Sequence, residues 1–531
     1  MTTSYLIHKI LNFFGLLVSI SDVSAYLPPA FSCLTAIVVH CFAKHASGSR
    51  TAGLFASLFV GISPAYVKTS LVGSYDNECI AIFAMLLGFY LWTRAVKRGS
   101  MLSALLAAIP SAYMVTAWGG YVFLINAIAI HMVALCMLGL MTPRHQVAYV
   151  VFYVMITALC VNVPFLNLTP LWSSEHMASH GVFVLVTVYA TVHCISALLP
   201  KVSMKHLQIW VLGIAGAMIF VVIAMLALTG KTGWSPRSLT LLDPTYASKH
   251  IPIVASVSEH QPTTWSTYFI DLHMIIFIAP LGLIISLRQG GGAFFIGLYG
   301  VLACYFSAVM IRLMLVLSPA ASMLAGIGSS VFVTGIFSRL PKAHSSVTDQ
   351  PAISAGTKAS KLSGSKLPFT VALPVLLAFF WLCIMHSVMG ILFARKHTYR
   401  FITVVPIQIV IPSMQWDYGY QVSEVGNRTV FVDNNTWNST HIATVGLAFA
   451  SEEPEAYAIA QDLDVDYVFV VFGGLARFAS DDLNKLIWMV RIASGVYPSL
   501  QQSSFLGPRG QVRKADNRDT RMLNAIESAL Q

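Results

Sequence analysis

Apolar residues come in long unbroken runs separated by short polar breaks, not at the alternating spacing of half-buried strands. A helix needs ~20 apolar residues to cross the hydrocarbon core of a bilayer, and by that measure the chain predicts about twelve spans. The runs lie at 25–43, 49–66, 79–97, 101–117, 121–141, 146–163, 178–199, 208–229, 267–287, 293–310, 313–338 and 369–394. The breaks alternate in charge. One set holds Lys44 and Arg50, then Arg94, Lys97 and Arg98, then Arg144, Lys201 and Lys205, then Arg288, and finally Arg339, Lys342, Lys358, Lys361 and Lys366. The positive-inside rule assigns this set to the cytosol. The other set, 67–78, 118–120, 164–177, 230–266, 311–312 and everything after 394, is poorer in cations and is expected to face the lumen. The opening segment MTTSYLIHKILNFFGLLVSI carries Lys9 inside its apolar stretch and shows no cleavage site, which predicts a short interfacial helix rather than a signal peptide.

Two segments break the pattern. Residues 343–367 (HSSVTDQPAISAGTKASKLSGSKLP) are rich in Ser, Ala and Gly and read as a flexible cytosolic linker within a multi-span domain, 1–394. From 395 to 531 short strand-like strings (VVPIQIVIP, RTVFV, DYVFVVFGG) alternate with helix-like ones (PEAYAIAQDLD, SDDLNKLIWMVRI). That mixture predicts a small C-terminal α/β domain on the lumenal side. The predicted fold class is therefore a polytopic α-helical membrane protein with a small mixed α/β lumenal domain.

Composition agrees. Of 531 residues, 56% are hydrophobic and 10% charged, against about 25% charged in soluble domains. The net charge of +10 does not point to nucleic acid, because the cations are dispersed among inter-span loops instead of gathered on one folded face. The eight cysteines lie almost entirely in apolar runs and read as small buried hydrophobes, not as a disulfide framework. Acceptor sequons for N-glycosylation begin at Asn167, Asn427, Asn434 and Asn438, all in segments assigned to the lumen.

Against this background, charge at the membrane edge is conspicuous. Asp76 and Glu78 (GSYDNECIAIF) precede a span, where a carboxylate near hydrocarbon is costly unless paired or hydrated. Such a pair can hold a hard cation through oxygen ligands; equally, it can be an acidic helix start favoured by the macrodipole. Glu259 lies in the long loop 230–266 as SVSEHQPTTW, either as a functional loop residue or as a solvated acid. Arg312, in SAVMIRLMLVLSP, suits a phosphate with its bidentate fork, or it snorkels to the interface.

Four strings in order, GSYDNE (73–78), SVSEHQPTTW (256–265), QWDYGYQ (415–421) and DNNTWNST (433–440), resemble the catalytic subunit of the eukaryotic oligosaccharyltransferase. TAWGGYVFLIN, SSEHM, RLMLVL and DLNKLIWMVRI lie between and beyond them and extend the resemblance from near residue 5 to about residue 493. The resemblance implies a glycosyltransferase of the endoplasmic reticulum membrane. It would move an oligosaccharide from a dolichyl-pyrophosphate donor to the Asn of Asn-X-Ser/Thr in nascent polypeptides, in the lipid bilayer and with other oligosaccharyltransferase subunits as possible partners. By the same resemblance Asp76 and Glu78 bind the catalytic Mn²⁺ or Mg²⁺, and Glu259 meets the acceptor amide. Arg312 contacts the lipid pyrophosphate. Trp416 and Asp417, with Tyr418 beside them, hold the sequon hydroxyl in a pocket that Asp482, Lys485 and Met489 also line.

These residue types suit the chemistry. An amide nitrogen is a poor nucleophile because its lone pair is delocalised, and carboxylates accepting its N–H groups oppose that delocalisation. A pocket built around a hydroxyl strongly rejects an analogue lacking it. The chain also departs from the family pattern. Family members carry an earlier span and a first acidic motif; the only acid before Asp76 is Asp22, which lies outside such a motif. Gln415 stands where the first Trp of the tryptophan pair belongs, and Thr69, beside Lys68, stands at a family Arg. The expectation is impaired or absent activity for the chain as it stands. The alternative is a catalytically inactive homologue or complex partner that binds acceptor peptide or lipid-linked oligosaccharide. A transporter is disfavoured because the distinctive charges sit at one face and not at mid-membrane.

Overall fold

The computed structural model describes residues 2–72, 75–164, 166–198, 213, 260–339, 368–403, 429–432, 439–466, 468, 490 and 493–500. Helices dominate them. In chain order they are α1 (Thr2–Phe13), α2 (Ile20–Ser47), α3 (Arg50–Ile62), the single turn α4 (Pro64–Val67), α5 (Asn77–Arg98), α6 (Met101–Ala117), α7 (Tyr121–Met137) and α8 (Pro143–Val161). Then come the turn α9 (Thr169–Trp172), α10 (Ser174–Leu198), α11 (Trp265–Leu272), α12 (Ile275–Gln289), α13 (Gly291–Val309) and α14 (Met314–Arg339). They end with α15 (Phe369–Thr403), α16 (Ser439–Ala450) and α17 (Glu453–Asp462).

Among the described residues six helices are long and apolar enough to cross a membrane, or seven if α11 and α12 form one span. Those two are bent by 89° where one continuous run, 267–287, had been expected. The break falls at His273, whose backbone sits at φ 47 and ψ −126, a geometry no helix can continue through. The helices α3, α6 and α7 are apolar but shorter. The expected run 208–229 and the linker 343–367 lie outside the described residues.

Helix ends follow local chemistry. The Ser19 hydroxyl accepts the Asp22 N–H at 3.0 Å to start α2, and Gly48, at φ 74, closes it. The helix α5 starts with an acid in its first turn and ends with Lys97 and Arg98 ahead of Gly99, matching the macrodipole at both ends.

Packing is centred on α14, whose residues from Met314 to Ser330 are all buried. It lies against α3, α12 and α13. Small residues allow this closeness, as is usual where helices pack inside a membrane. A Cβ on Gly326 would stand 2.7 Å from both the Ala52 carbonyl oxygen and the Ala56 amide nitrogen of α3. A second layer pairs α5 with α6 and α2, α6 with α8, and α7 with α10. By contrast α15 exposes Leu377, Trp381, Ile384 and Ile391, an apolar surface suited to lipid.

In the C-terminal region the expected helix within PEAYAIAQDLD is present as α17. The helix α16, in a stretch with no sequence-based expectation, packs against it. Residues 429–432, the end of the strand-like RTVFV, have no strand assignment.

Candidate active site

The acidic loop is built from three directions. Asp76 caps α5, its Oδ1 accepting the Asn77 N–H at 2.7 Å. The Asn77 side-chain amide donates to the Ala117 carbonyl at the end of α6, 2.5 Å away. The hydroxyl of Tyr75 meets that of Ser4, 2% exposed on α1, at 2.7 Å. A second hydroxyl pair, Thr3 with Tyr113 at 2.6 Å, fastens α1 to α6. Ile7 of α1 packs with Tyr75, Tyr113 and the buried Leu27, Phe31, Cys79 and Ile80. The expected interfacial helix thus also braces the loop that carries the acids.

The two acids differ. Asp76 is exposed, whereas Glu78 is 5% exposed. A buried carboxylate requires a partner, and Glu78 has one: Arg312 Nε donates to Glu78 Oε1 at 2.6 Å. The 234 residues separating them close on one point. Arg312 rides on a short 3₁₀ turn, Ile311–Leu313, between α13 and α14. That turn is tied to the long loop: Ile311 N–H donates to the Gln261 carbonyl at 3.0 Å, and Thr263 N–H to the Ala308 carbonyl at 3.2 Å.

A second ion pair lies nearby in sequence. Lys68 Nζ is 4.0 Å from Asp271 Oδ2. The Ser63 hydroxyl donates to the Asp271 carbonyl at 3.1 Å and receives one from Ser318 at 3.0 Å. Lys68, the neighbour of the departure at Thr69, is thereby engaged with α11.

Of the residues singled out from sequence, the structure brings Asp76, Glu78 and Arg312 to one end of the bundle. Glu259, Trp416, Asp417, Tyr418, Asp482, Lys485, Met489 and the sequons at Asn427, Asn434 and Asn438 lie outside the described residues. Asn167 is exposed, with φ 46, a conformation Asn tolerates better than most residues. Sequence reading missed the Ser4–Tyr75, Asn77–Ala117 and Lys68–Asp271 contacts, because partners so far apart in the chain leave no spacing signal.

Asp76 and Glu78 offer carboxylate oxygens, the donor class of hard cations such as Mg²⁺ and Mn²⁺. Among the described residues no group of three or more His, Cys, Asp or Glu is gathered closely enough to enclose a metal. The pair therefore fits as part of a coordination set.

A family profile described as Oligosaccharyl transferase STT3, N-terminal, matches residues 1–325. The chain belongs to the STT3 family of oligosaccharyltransferases. It is 40% identical over 548 residues to a Dictyostelium discoideum protein named dolichyl-diphosphooligosaccharide–protein glycosyltransferase subunit STT3, covering 99% of this chain and 75% of that one. The corresponding Caenorhabditis elegans subunit, stt-3, is 38% identical, again over 99% of this chain and 75% of its own length. The family is one of glycosyltransferases, and the expectation of an oligosaccharyltransferase of protein N-glycosylation stands.

Among solved structures, the oligosaccharyltransferase AglB of Archaeoglobus fulgidus, in complex with an inhibitory peptide and a dolichol-phosphate, superposes with a TM-score of 0.64 at 13% identity. The match covers 97% of this chain and 66% of the archaeal one, so the STT3 chain spans just under two thirds of that structure. A second structure of the archaeal enzyme, tethered to an acceptor peptide with an NVT sequon, gives a TM-score of 0.62 at 13% identity, with 97% of this chain and 65% of that chain covered. At that identity the likeness establishes the fold.

Proposed function

We propose that this STT3 chain transfers an oligosaccharide from a dolichyl-pyrophosphate donor to the Asn side chain of Asn-X-Ser/Thr. In this reading it works in the endoplasmic reticulum membrane, with about twelve spans over 1–394 and a lumenal recognition domain over 395–531. The observation that carries the reading is the 2.6 Å contact of Arg312 with Glu78. It joins the cation assigned to the lipid pyrophosphate to a carboxylate assigned to the metal, as a site that handles both donor and acceptor requires.

The chain's own residues act as follows. Asp76 and Glu78 hold one side of a divalent cation, Mn²⁺ or Mg²⁺. When bound, that cation stabilises negative charge on the departing pyrophosphate and fixes the carboxylates. Arg312 gives the buried Glu78 a charged hydrogen-bond partner, and its fork of N–H donors is suited to serve a carboxylate and a phosphate together. Glu259 accepts from the acceptor amide; Gln261, two residues further on, accepts the Ile311 N–H of the Arg312 turn. Trp416, Asp417 and Tyr418, with Asp482, Lys485 and Met489, read the sequon hydroxyl. Other oligosaccharyltransferase subunits are its proposed partners, and Asn427, Asn434 and Asn438 its proposed glycosylation sites.

One observation favours a second reading, a catalytically inactive homologue that binds acceptor peptide or lipid-linked oligosaccharide. Lys68, the cation beside the family Arg position occupied by Thr69, is committed to Asp271. One assay separates the two: the purified chain with lipid-linked oligosaccharide, an Asn-X-Thr peptide and Mn²⁺. Metal-dependent glycopeptide formation that is lost in Glu78→Gln supports the transferase. Peptide or donor binding without turnover supports the second reading. Turnover insensitive to both chelator and Glu78→Gln rejects the proposed site.

A further inference from the structure

The opposite end of the bundle, where α5 finishes and α8 begins, carries a different chemistry. Val96, Lys97, Thr142, Pro143, Arg144 and His145 line an open cavity of about 430 Å³. Lys97 and Arg144 are both exposed, and neither forms an ion pair among the described residues. No acid is available to them locally: the segments 44–50, 94–100, 138–146 and 288–292 contain no Asp or Glu. The surrounding field is positive as well, since Arg94, Lys97 and Arg98 all act on His45 at the end of α2.

Two features make the cavity a built site and not only a basic surface. Gly99, at φ 65, lets the Arg144 stem lie across the end of α5: a Cβ there would stand 2.7 Å from Arg144 Cγ and Cδ. That contact seats the Arg144 stem at the end of α5, and Arg144 and Lys97 line the same cavity. The Thr142 N–H donates to His145 Nδ1 at 3.3 Å, a contact that caps the start of α8, and both residues line the cavity. Val96 gives the lining an apolar side chain, Lys97 lies in the last turn of the 22-residue apolar helix α5, and Arg144 lies in the first turn of α8.

We infer that this cavity binds the phosphate of an anionic phospholipid headgroup, with Lys97 as the point charge and Arg144 as the fork. A phosphate dianion suits the pair better than a carboxylate. It offers oxygens to both cations at once, and a guanidinium bonds two of them in parallel. The phospholipid is favoured over free phosphate because Lys97 lies in the last turn of a helix long and apolar enough to cross a membrane, the level at which headgroups gather around basic side chains.

The test uses the full chain in phosphatidylcholine nanodiscs, with and without phosphatidic acid, read by thermal unfolding and by lipid retention in native mass spectrometry. Phosphatidic acid is expected to raise the unfolding midpoint and to be retained. The double variant Lys97→Gln/Arg144→Gln should keep the midpoint seen in phosphatidylcholine and lose affinity for phosphatidic acid by about thirtyfold, at about fivefold per basic residue near a membrane surface. Each single variant should lose an intermediate amount. Arg288→Gln, at the same end of the bundle but outside the cavity, should behave as wild type. If inorganic phosphate in phosphatidylcholine nanodiscs reproduces the shift, the phosphate site stands and its source is the free anion. No response to either ligand overturns the inference. So does an unchanged response in the double variant, or an equal loss in Arg288→Gln.

Discussion

The two ends of the helical bundle solve the problem of charge next to hydrocarbon in opposite ways. At one end, charge is brought inside and paired: Glu78 is buried against Arg312, and Lys68 meets the buried Asp271. At the other end Lys97 and Arg144 stay exposed around an open cavity, with no ion pair among the described residues. Pairing a buried charge makes each partner depend on the other, so the first end is rigid and intolerant of change. Leaving cations in solvent costs the fold little, so the second end stays free to meet an external anion. The same contrast separates the proposed transferase chemistry from the proposed lipid contact.

The largest test of the contrast removes one partner of the buried pair. Arg312→Ala takes a charged partner from Glu78, and loss of one partner from a buried pair costs roughly 3–5 kcal/mol. Because Arg312 is itself about a third exposed, a figure near ~3 kcal/mol is expected. Thermal unfolding in detergent reads it directly. The double variant Arg312→Ala/Glu78→Ala should recover part of the loss; if it unfolds no later than Arg312→Ala, the pair is not coupled. Next comes the interior that positions this end. Gly326→Leu forces a side chain into the α3 backbone and should destabilise by about 1–3 kcal/mol, with Gly326→Ala closer to the lower value.

A smaller effect is expected where α1 braces the acidic loop. Tyr75→Phe removes one buried hydroxyl contact worth about 1 kcal/mol. It should lower the transfer rate more than it weakens acceptor binding, because it loosens the loop without touching either substrate. Ser4→Thr, which keeps a hydroxyl, should restore more of the rate than Ser4→Ala. The smallest effect belongs to the opposite end: Lys97→Gln in phosphatidylcholine should change stability by less than about 0.5 kcal/mol, as for surface substitutions generally. A loss as large as that of Arg312→Ala would erase the distinction between the two ends.

Much of this organisation was legible in the chain. The runs at 79–97 and 101–117 coincide with α5 and α6, because a span must be long, apolar and internally hydrogen-bonded. The acidic start of α5 at Asp76 and Glu78 was legible too, since carboxylates at a helix N-terminus are favoured by the macrodipole. Asp76, Glu78 and Arg312 stood out individually because ionised groups at a membrane edge are rare. Family resemblance, not spacing, was what joined them.

What the sequence could not decide is everything that depends on distant partners. The break at His273 within an apparently uniform apolar run, the pairing of Glu78 with Arg312 across 234 residues, and the capture of Lys68 by Asp271 all arise from packing. So does the seating of Arg144 over Gly99. Hydropathy is a sum over neighbours along the chain, and it fixes which segments enter the bilayer. Which charges then meet depends on how closely α3, α12, α13 and α14 approach one another, and that is set by the shapes of side chains far apart in sequence.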